Sequence, residues 1–438
     1  MKQLKRLLPL LLLLALLLSG CAAVGADELY SLPKRSDAYL ELQQEIESVM
    51  RGASYAAPVS GVNQRSIQNA DLDGDGLDEV LVFARTEGAE RPLKVFILRQ
   101  DGDVYRLLDT IESDGAAFDS VDYVQIDGRA GLELVLSCRL ADKVQQSMRV
   151  YTVRSGKAAE LLQSGCTAYT VTDLNGDGLS DVITLTSGGS RSNGIAQYFR
   201  WREDELLRSG EANLSVSAES VKRIITGLVA ESVPGVFVAS TYDDSNIVTD
   251  VFVAPSDGTF RNVSQMDEND LSTSTVRSYY VYSTDIDGDG VIELPETRPL
   301  VVLPGDPSSR GQSCILWYNL RPDGTHVEKC TTYHNYAEGW YLRLPDEWRS
   351  SLSVTTREDE VYGSCTCFVI SDYISRHELL RVYMLEGKTA TDALDAGALI
   401  LLERRGNTYY CAAPGAELTL DSTTLQESFG FILTDTTP

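Results

Sequence analysis

The sequence predicts a mainly β protein: a β-propeller of about five four-stranded blades, followed by a small α/β domain. Three observations lead there. An Asp/Gly-rich loop recurs at near-constant spacing between residues 71 and 293. Short extended stretches separated by turn residues fill each interval. Beyond Tyr336 that rhythm stops and a different mixture of strands and one helical segment takes over.

The start of the chain reads as an export signal. Lys2, Lys5 and Arg6 precede a leucine-rich run over 7–18, and Leu18-Ser19-Gly20-Cys21 follows. A basic start, a short apolar stretch and small residues before a cleavage point describe a secretory leader. The run is shorter than the about 20 residues a spanning helix needs. Leu-Ser-Gly-Cys resembles the bacterial lipobox. The resemblance implies cleavage before Cys21, diacylation of its thiol and attachment to the extracytoplasmic face of the bacterial cell membrane, two acyl chains giving stable anchoring. The expected organisation is a signal peptide over 1–20, a linker and helix over 21–58, a propeller over 59–334 and the α/β domain over 335–438. Within 36–50, Tyr39, Leu42, Ile46, Val49 and Met50 share one helical face, which predicts a helix packed on the main body.

The repeat is explicit. Asp71-Leu72-Asp73-Gly74-Asp75-Gly76-Leu77-Asp78-Glu79, Asp173-Leu174-Asn175-Gly176-Asp177-Gly178-Leu179-Ser180-Asp181 and Asp285-Ile286-Asp287-Gly288-Asp289-Gly290-Val291-Ile292-Glu293 each lead towards an apolar strand. Worn copies begin at Gln125, which keeps Asp127 and Glu133, and near Ala230, which has lost its acids. The period is roughly 50–55 residues, within the range of propeller blades and arrays. After the first loop, extended stretches fall at about 79–85, 93–98, 104–110 and 121–126. Turn residues separate such stretches, as at Asp101-Gly102, Asp257-Gly258 and Asp323-Gly324. Four strands per period is a blade. Residues 66–70 would close the ring by joining the last blade. A solenoid or a stack of sandwiches is the alternative reading.

The loops predict calcium. Acids at positions 1, 3 and 5, a backbone carbonyl at 7 and an acid at 9 supply the oxygen ligands Ca²⁺ takes, and Gly at position 6 allows the sharp turn. The predicted ligands are Asp71, Asp73, Asp75, Leu77 and Glu79; Asp173, Asn175, Asp177, Leu179 and Asp181; and Asp285, Asp287, Asp289, Val291 and Glu293. The last loop alone places an acid, Glu296, at position 12. A single Asp/Gly turn needs no ion. Three with the same spacing crowd carboxylates that repel one another unless a cation joins them. An EF-hand requires helices on both sides, whereas these loops feed β-branched strands. On these residues the region resembles the FG-GAP/VCBS type of calcium-loop repeat, which implies a β-propeller with ions at blade entries.

After Tyr336, Gly339-Trp340-Tyr341-Leu342-Arg343-Leu344-Pro345-Asp346-Glu347-Trp348 opens a segment of alternating strands, and 422–433 looks helical at first. This resembles the PsbP-like domain of other bacterial lipoproteins, which implies a binding or accessory role without catalytic residues.

Composition narrows the partners. The 438 residues carry Asp+Glu 64 against Lys+Arg 38, a net charge of −26. That excludes nucleic acid, whose phosphates demand a basic face. Cys138, Cys166, Cys314, Cys330, Cys365, Cys367 and Cys411 follow Cys21, an odd set whose pairing stays open. Without a CxxC pair, and with His326, His334 and His377 scattered, a zinc site is a poor reading of these residues. None of the common nucleophile, metalloprotease, phosphate-loop or dinucleotide motifs is present. Tyr279, Tyr280, Tyr282, Trp317 and Tyr318 read either as strand packing or as the lining of a sugar or peptide site. The expected function is therefore a lipid-anchored, calcium-binding, non-catalytic module that recognises a protein or glycan of the envelope or host. The alternatives are a polysaccharide-active enzyme and a scaffold for an envelope complex.

Overall fold

The computed structural model describes residues 37–432, apart from 103, 141–144, 189–192, 256–258, 266–270, 279–280 and 372–374. The leader and Cys21 lie outside the described residues, as do Asp257-Gly258 and the pair Tyr279-Tyr280.

The described chain is mainly β, built of antiparallel sheets with three helices. Helix α1 (Asp37–Val49) comes first, where the apolar spacing predicts it. Sheet one contains β1 (Ser54–Tyr55), β2 (Ile67–Ala70), β3 (Glu79–Arg85), β4 (Leu93–Asp101) and β5 (Val104–Ser113). Sheet two is β6 (Ala117–Val124), β7 (Glu133–Arg139), β8 (Gln146–Arg154) and β9 (Lys157–Cys166). Sheet three is β10 (Ala168–Thr172), β11 (Asp181–Ser187), β12 (Gly194–Arg202) and β13 (Glu205–Asn213). Sheet four holds β14 (Val221–Ala230), β15 (Val233–Thr241), β16 (Asn246–Val253), β17 (Arg261–Asn262) and β18 (Arg277–Ser278). Sheet five begins with β19 (Leu294–Pro299), β20 (Ser313–Leu320) and β21 (His326–Asn335).

Each sheet is apolar on both faces, because neighbours cover both. Along β3, Val80, Val82 and Ala84 face α1 and pack on Ile46, while Leu81 and Phe83 face sheet two. Val135 of β7 meets Val182 of β11, and Ile183 meets Val236 and Val238 of β15. Phe237 in turn meets Leu294 and Tyr318. The five sheets thus pack in chain order, each on the next. Near-continuous apolar strands such as Glu79-Val80-Leu81-Val82-Phe83 follow from this two-sided burial.

The expected ring closure does not occur among the described residues. Strand β2 pairs with β3 of its own sheet, Ile67 opposite Val82 and Ala70 opposite Glu79. The outer face of sheet one is already covered by α1, whose apolar stripe takes the place a last blade would fill. The propeller expectation is therefore met only in its coarse form, repeated antiparallel sheets.

The C-terminal segment is joined to sheet five. Strand β22 (Trp340–Leu344) pairs with β21, and β28 (Phe429–Phe431) returns to pair with β22, Trp340 opposite Phe431. The expected boundary at 334/335 falls inside β21, one residue before its end at Asn335. A sixth sheet holds β23 (Leu352–Asp359), β24 (Gly363–Ser371), β25 (Arg376–Glu386), β26 (Ile400–Arg405) and β27 (Thr408–Pro414). Helix α2 (Gly387–Asp395) packs on it through Ala390 and Ala393, and α3 (Ser422–Ser428) through Leu425. Helical spacing in 422–433 holds only to Ser428, where the chain turns extended.

Acid loops and an aromatic cleft

In each intact loop the first Asp organises the turn. Asp71 accepts from the amides of Gly74 (2.7 Å) and Gly76 (3.0 Å). Asp173 accepts from Gly176 and Gly178, both 2.8 Å, and Asp285 from Gly288 (2.7 Å) and Gly290 (2.9 Å). These turns need positive φ: Gly74 is at 78° and Gly76 at 86°, a region that costs glycine little. The fifth acids, Asp75, Asp177 and Asp289, accept from the amides of Leu77, Leu179 and Val291.

The ninth acids close the loops from below. Glu79, Glu133, Asp181 and Glu293 are buried, and each accepts from the second amide of its own loop: Leu72 at 2.9 Å, Ile126 at 2.8 Å, Leu174 at 3.0 Å and Ile286 at 3.0 Å. Burial raises the pKa of all four, Asp181 to about 7 and Glu293 to about 6. Carboxylates kept from water in this way seek a cation. Glu79 Oε1 is buried without a hydrogen-bond partner among the described residues. Its carboxylate lies with those of Asp71 and Asp73, ligand atoms all within 4.8 Å of one another, and Asp285, Asp287 and Asp289 form a second such group. All-oxygen acidic groups of this kind fit a hard divalent cation.

The remaining predicted ligands are placed differently. Asn175 accepts from the Asp177 amide (2.8 Å), while its Nδ2 donates to Tyr198 Oη (3.2 Å) and Asp181 (3.4 Å). Glu296 lies inside β19 and bonds Arg298 through both oxygens, at 3.1 and 3.2 Å, leaving the loop to close on Glu293. Protein cations also reach the acids. Arg99 bonds Asp73 at 3.0 Å, and Lys329 bonds Asp287 at 3.2 Å and Asp289 at 2.5 Å. The worn second loop holds Asp127 against the Arg154 guanidinium. Sequence reading missed these partners, because they arrive from later strands of the same sheet.

The loops touch one another. The eighth amide of one donates to the first carbonyl of the loop before it: Leu132 to Asp71 at 2.9 Å, and Ser180 to Gln125 at 2.7 Å. Ile292 donates likewise to Leu228 at 2.8 Å, although the fourth copy has shrunk to a tight hairpin with Ser232 at φ 61°.

Beside the last loop, a cleft opens on the face of sheet five turned away from sheet four. Tyr282, Trp317, Tyr336 and Tyr341 line it, with Arg223, Asp285 and His334. The His334 ring stacks on Tyr341, centroids 5.4 Å apart, with Tyr336 at 5.6 Å and Trp317 at 6.1 Å. Trp317 is fixed by its Nε1 donating to Thr332 at 2.7 Å. The Arg223 guanidinium lies over Tyr282 at 5.2 Å. Neither nitrogen of His334 finds a hydrogen-bond partner among the described residues, and burial pushes its pKa down to about 4. The structure thus brings Tyr282 and Trp317 into one site. It sends Tyr318 to the opposite face, under His326 at 4.6 Å. The clue to His334 was alternation: Cys330, Thr332 and His334 share one face of β21.

No protein-family model matches this chain, and no curated protein matches it. Solved structures do. An exotype rhamnogalacturonan lyase, YesX, shares 12% identity at TM-score 0.30, over 71% of this chain and 63% of its own length, so this chain spans less than two thirds of it. The rhamnogalacturonan lyase YesW shares 12% at TM-score 0.27, over 71% of this chain and 74% of that one. A rhamnogalacturonan lyase of Bacillus licheniformis, PL11, shares 10% at TM-score 0.28, over 75% of this chain and 91% of that one. At these values the likeness carries no activity across. The expectation was a non-catalytic adhesion module and no enzyme; the solved structures matched are lyases instead. These neighbours are polysaccharide lyases, and the loop acids that dominate the sequence had hidden a cleft with a neutral imidazole among aromatic rings.

Proposed function

We propose that this chain is a polysaccharide-active protein, held outside the cell by lipid on Cys21, whose working site is the cleft at Tyr282, Tyr336 and Tyr341. One observation carries the reading: three solvent-reaching aromatic side chains converge around the His334 imidazole, with Trp317 buried beneath them. Flat aromatic faces take the apolar faces of sugar rings, and few polar groups are needed to orient a ligand in such a pocket. In this reading the sheets are blades of an open propeller of the FG-GAP/VCBS type. Calcium at the loops of Asp71, Asp173 and Asp285 supplies positive charge that the buried ninth acids lack.

The test is a screen of the full chain, in mild detergent with Ca²⁺, on a panel of plant and bacterial polysaccharides. New reducing ends are measured together with the ultraviolet absorbance of unsaturated sugars. Cleavage of at least one polymer, abolished by Tyr341→Ala in a protein that still folds, is the expected result. Failure to cleave any polymer would sink the proposal.

A further inference from the structure

We infer that His334 is the specificity-determining residue of the cleft, and that the ring it reads is an uncharged sugar carrying neighbouring hydroxyl groups. This rests on the polysaccharide reading above and deepens it. His334 lines both the main cleft and a smaller cavity bounded by Thr297, Gln312 and Ser313. Its two nitrogens have no protein partner among the described residues, although the ring is packed between aromatic side chains. Unpaired polar groups in such surroundings are costly, and a ligand that pairs them is favoured over one that does not.

The chemistry of the imidazole selects that ligand. A neutral ring presents one N–H donor and one lone pair. Hydroxyl groups on adjacent sugar carbons both donate and accept, so one can meet each nitrogen while the ring lies against Tyr341. Burial keeps the imidazole neutral at ordinary pH. Charge argues in the same direction. The chain carries −26 overall, a field that opposes the approach of a polyanionic sugar chain and leaves an uncharged one unaffected.

The experiment is titration of the full chain, in mild detergent with Ca²⁺ and at matched ionic strength. Oligosaccharides from neutral glucans, galactans and mannans are compared with oligouronates. Wild type is expected to prefer a neutral series at least tenfold. His334→Phe keeps the stacking ring without its nitrogens and should lose that binding by a hundredfold or more. His334→Gln keeps a donor and an acceptor and should retain part of it. Unchanged affinity in His334→Phe overturns the inference, as does a wild-type preference for oligouronates. Should His334→Phe fail to fold, the wild-type preference between the two series decides alone. Cleavage of a uronate polymer, equal in wild type and His334→Gln, defeats this inference and leaves the polysaccharide reading standing. Absence of binding and cleavage with every sugar defeats both.

Discussion

The Arg154 guanidinium rests against the Asp127 carboxylate in the second loop. Asp127 is buried there, and its Oδ1 also accepts from the Arg129 amide at 2.9 Å. The second copy has lost the acids of positions 1 and 5 and has gained a covalently tethered cation. The first and last intact loops also receive a protein cation, Arg99 on Asp73 and Lys329 on Asp287 and Asp289, but they keep the acids of positions 1 and 5.

Replacing Arg154 by Met should therefore cost about 3 kcal/mol, because a buried carboxylate loses its partner. Asp127→Asn in the same chain should restore much of that loss. Chemical denaturation of the two variants measures it. Equal stability of wild type and Arg154→Met would show that the contact is incidental.

Removing divalent ions with a chelator should lower the melting temperature. Calcium at a hundred times its dissociation constant should return about 2.7 kcal/mol per site. Asp173→Ala together with Asp177→Ala should remove one ion per chain, counted by elemental analysis. A melting temperature indifferent to chelator would dismiss the structural role of the loops.

Acid should weaken the fold through His334. Its pKa is about 4 in the folded chain, against 6.5 for an ordinary histidine. Between those values the unfolded chain binds the extra proton, so stability is complete above pH 6.5 and falls towards pH 4. The loss amounts to roughly 3 kcal/mol. His334→Gln should flatten this slope, read from denaturation at pH 4.5 and 7. An unchanged slope would place the titrating group elsewhere.

Gly131→Ala tests the joint between the first two loops. Gly131 sits at φ 95°, and a Cβ there would come within 2.5 Å of the Leu72 carbonyl oxygen. Backbone strain and overpacking together should cost about 3 kcal/mol. Gly76→Ala, at φ 86° with open space around its Cβ position, should cost less. A reversed order would argue against close loop contact.

The loops were legible because their information is local. An Asp and two Gly residues within six positions dictate the turn, and the ninth acid follows by spacing. The α1 stripe was legible for the same reason, since Ile46 and its neighbours repeat at helical intervals. The order of packing was not legible in sequence. Whether 66–70 closes a ring or stays at home depends on what covers β3, and that is settled by α1, a competitor for the same apolar face. The pairing of Trp340 with Phe431 was invisible because a whole sheet separates them along the chain. His334 is not legible in sequence because no motif singles it out, while its meaning lies in the rings around it.

The hydrogen bond from Ser180 to Gln125, with its counterparts at Leu132 and Ile292, points backwards along the chain each time. Sheets two, three and five therefore each dock on an acceptor that the sheet before has already put in place. A polypeptide emerging from its amino end can assemble its first four layers one at a time, whereas sheet five waits for β28. Deleting layers from the carboxyl end should accordingly be gentler on what remains than deleting the first.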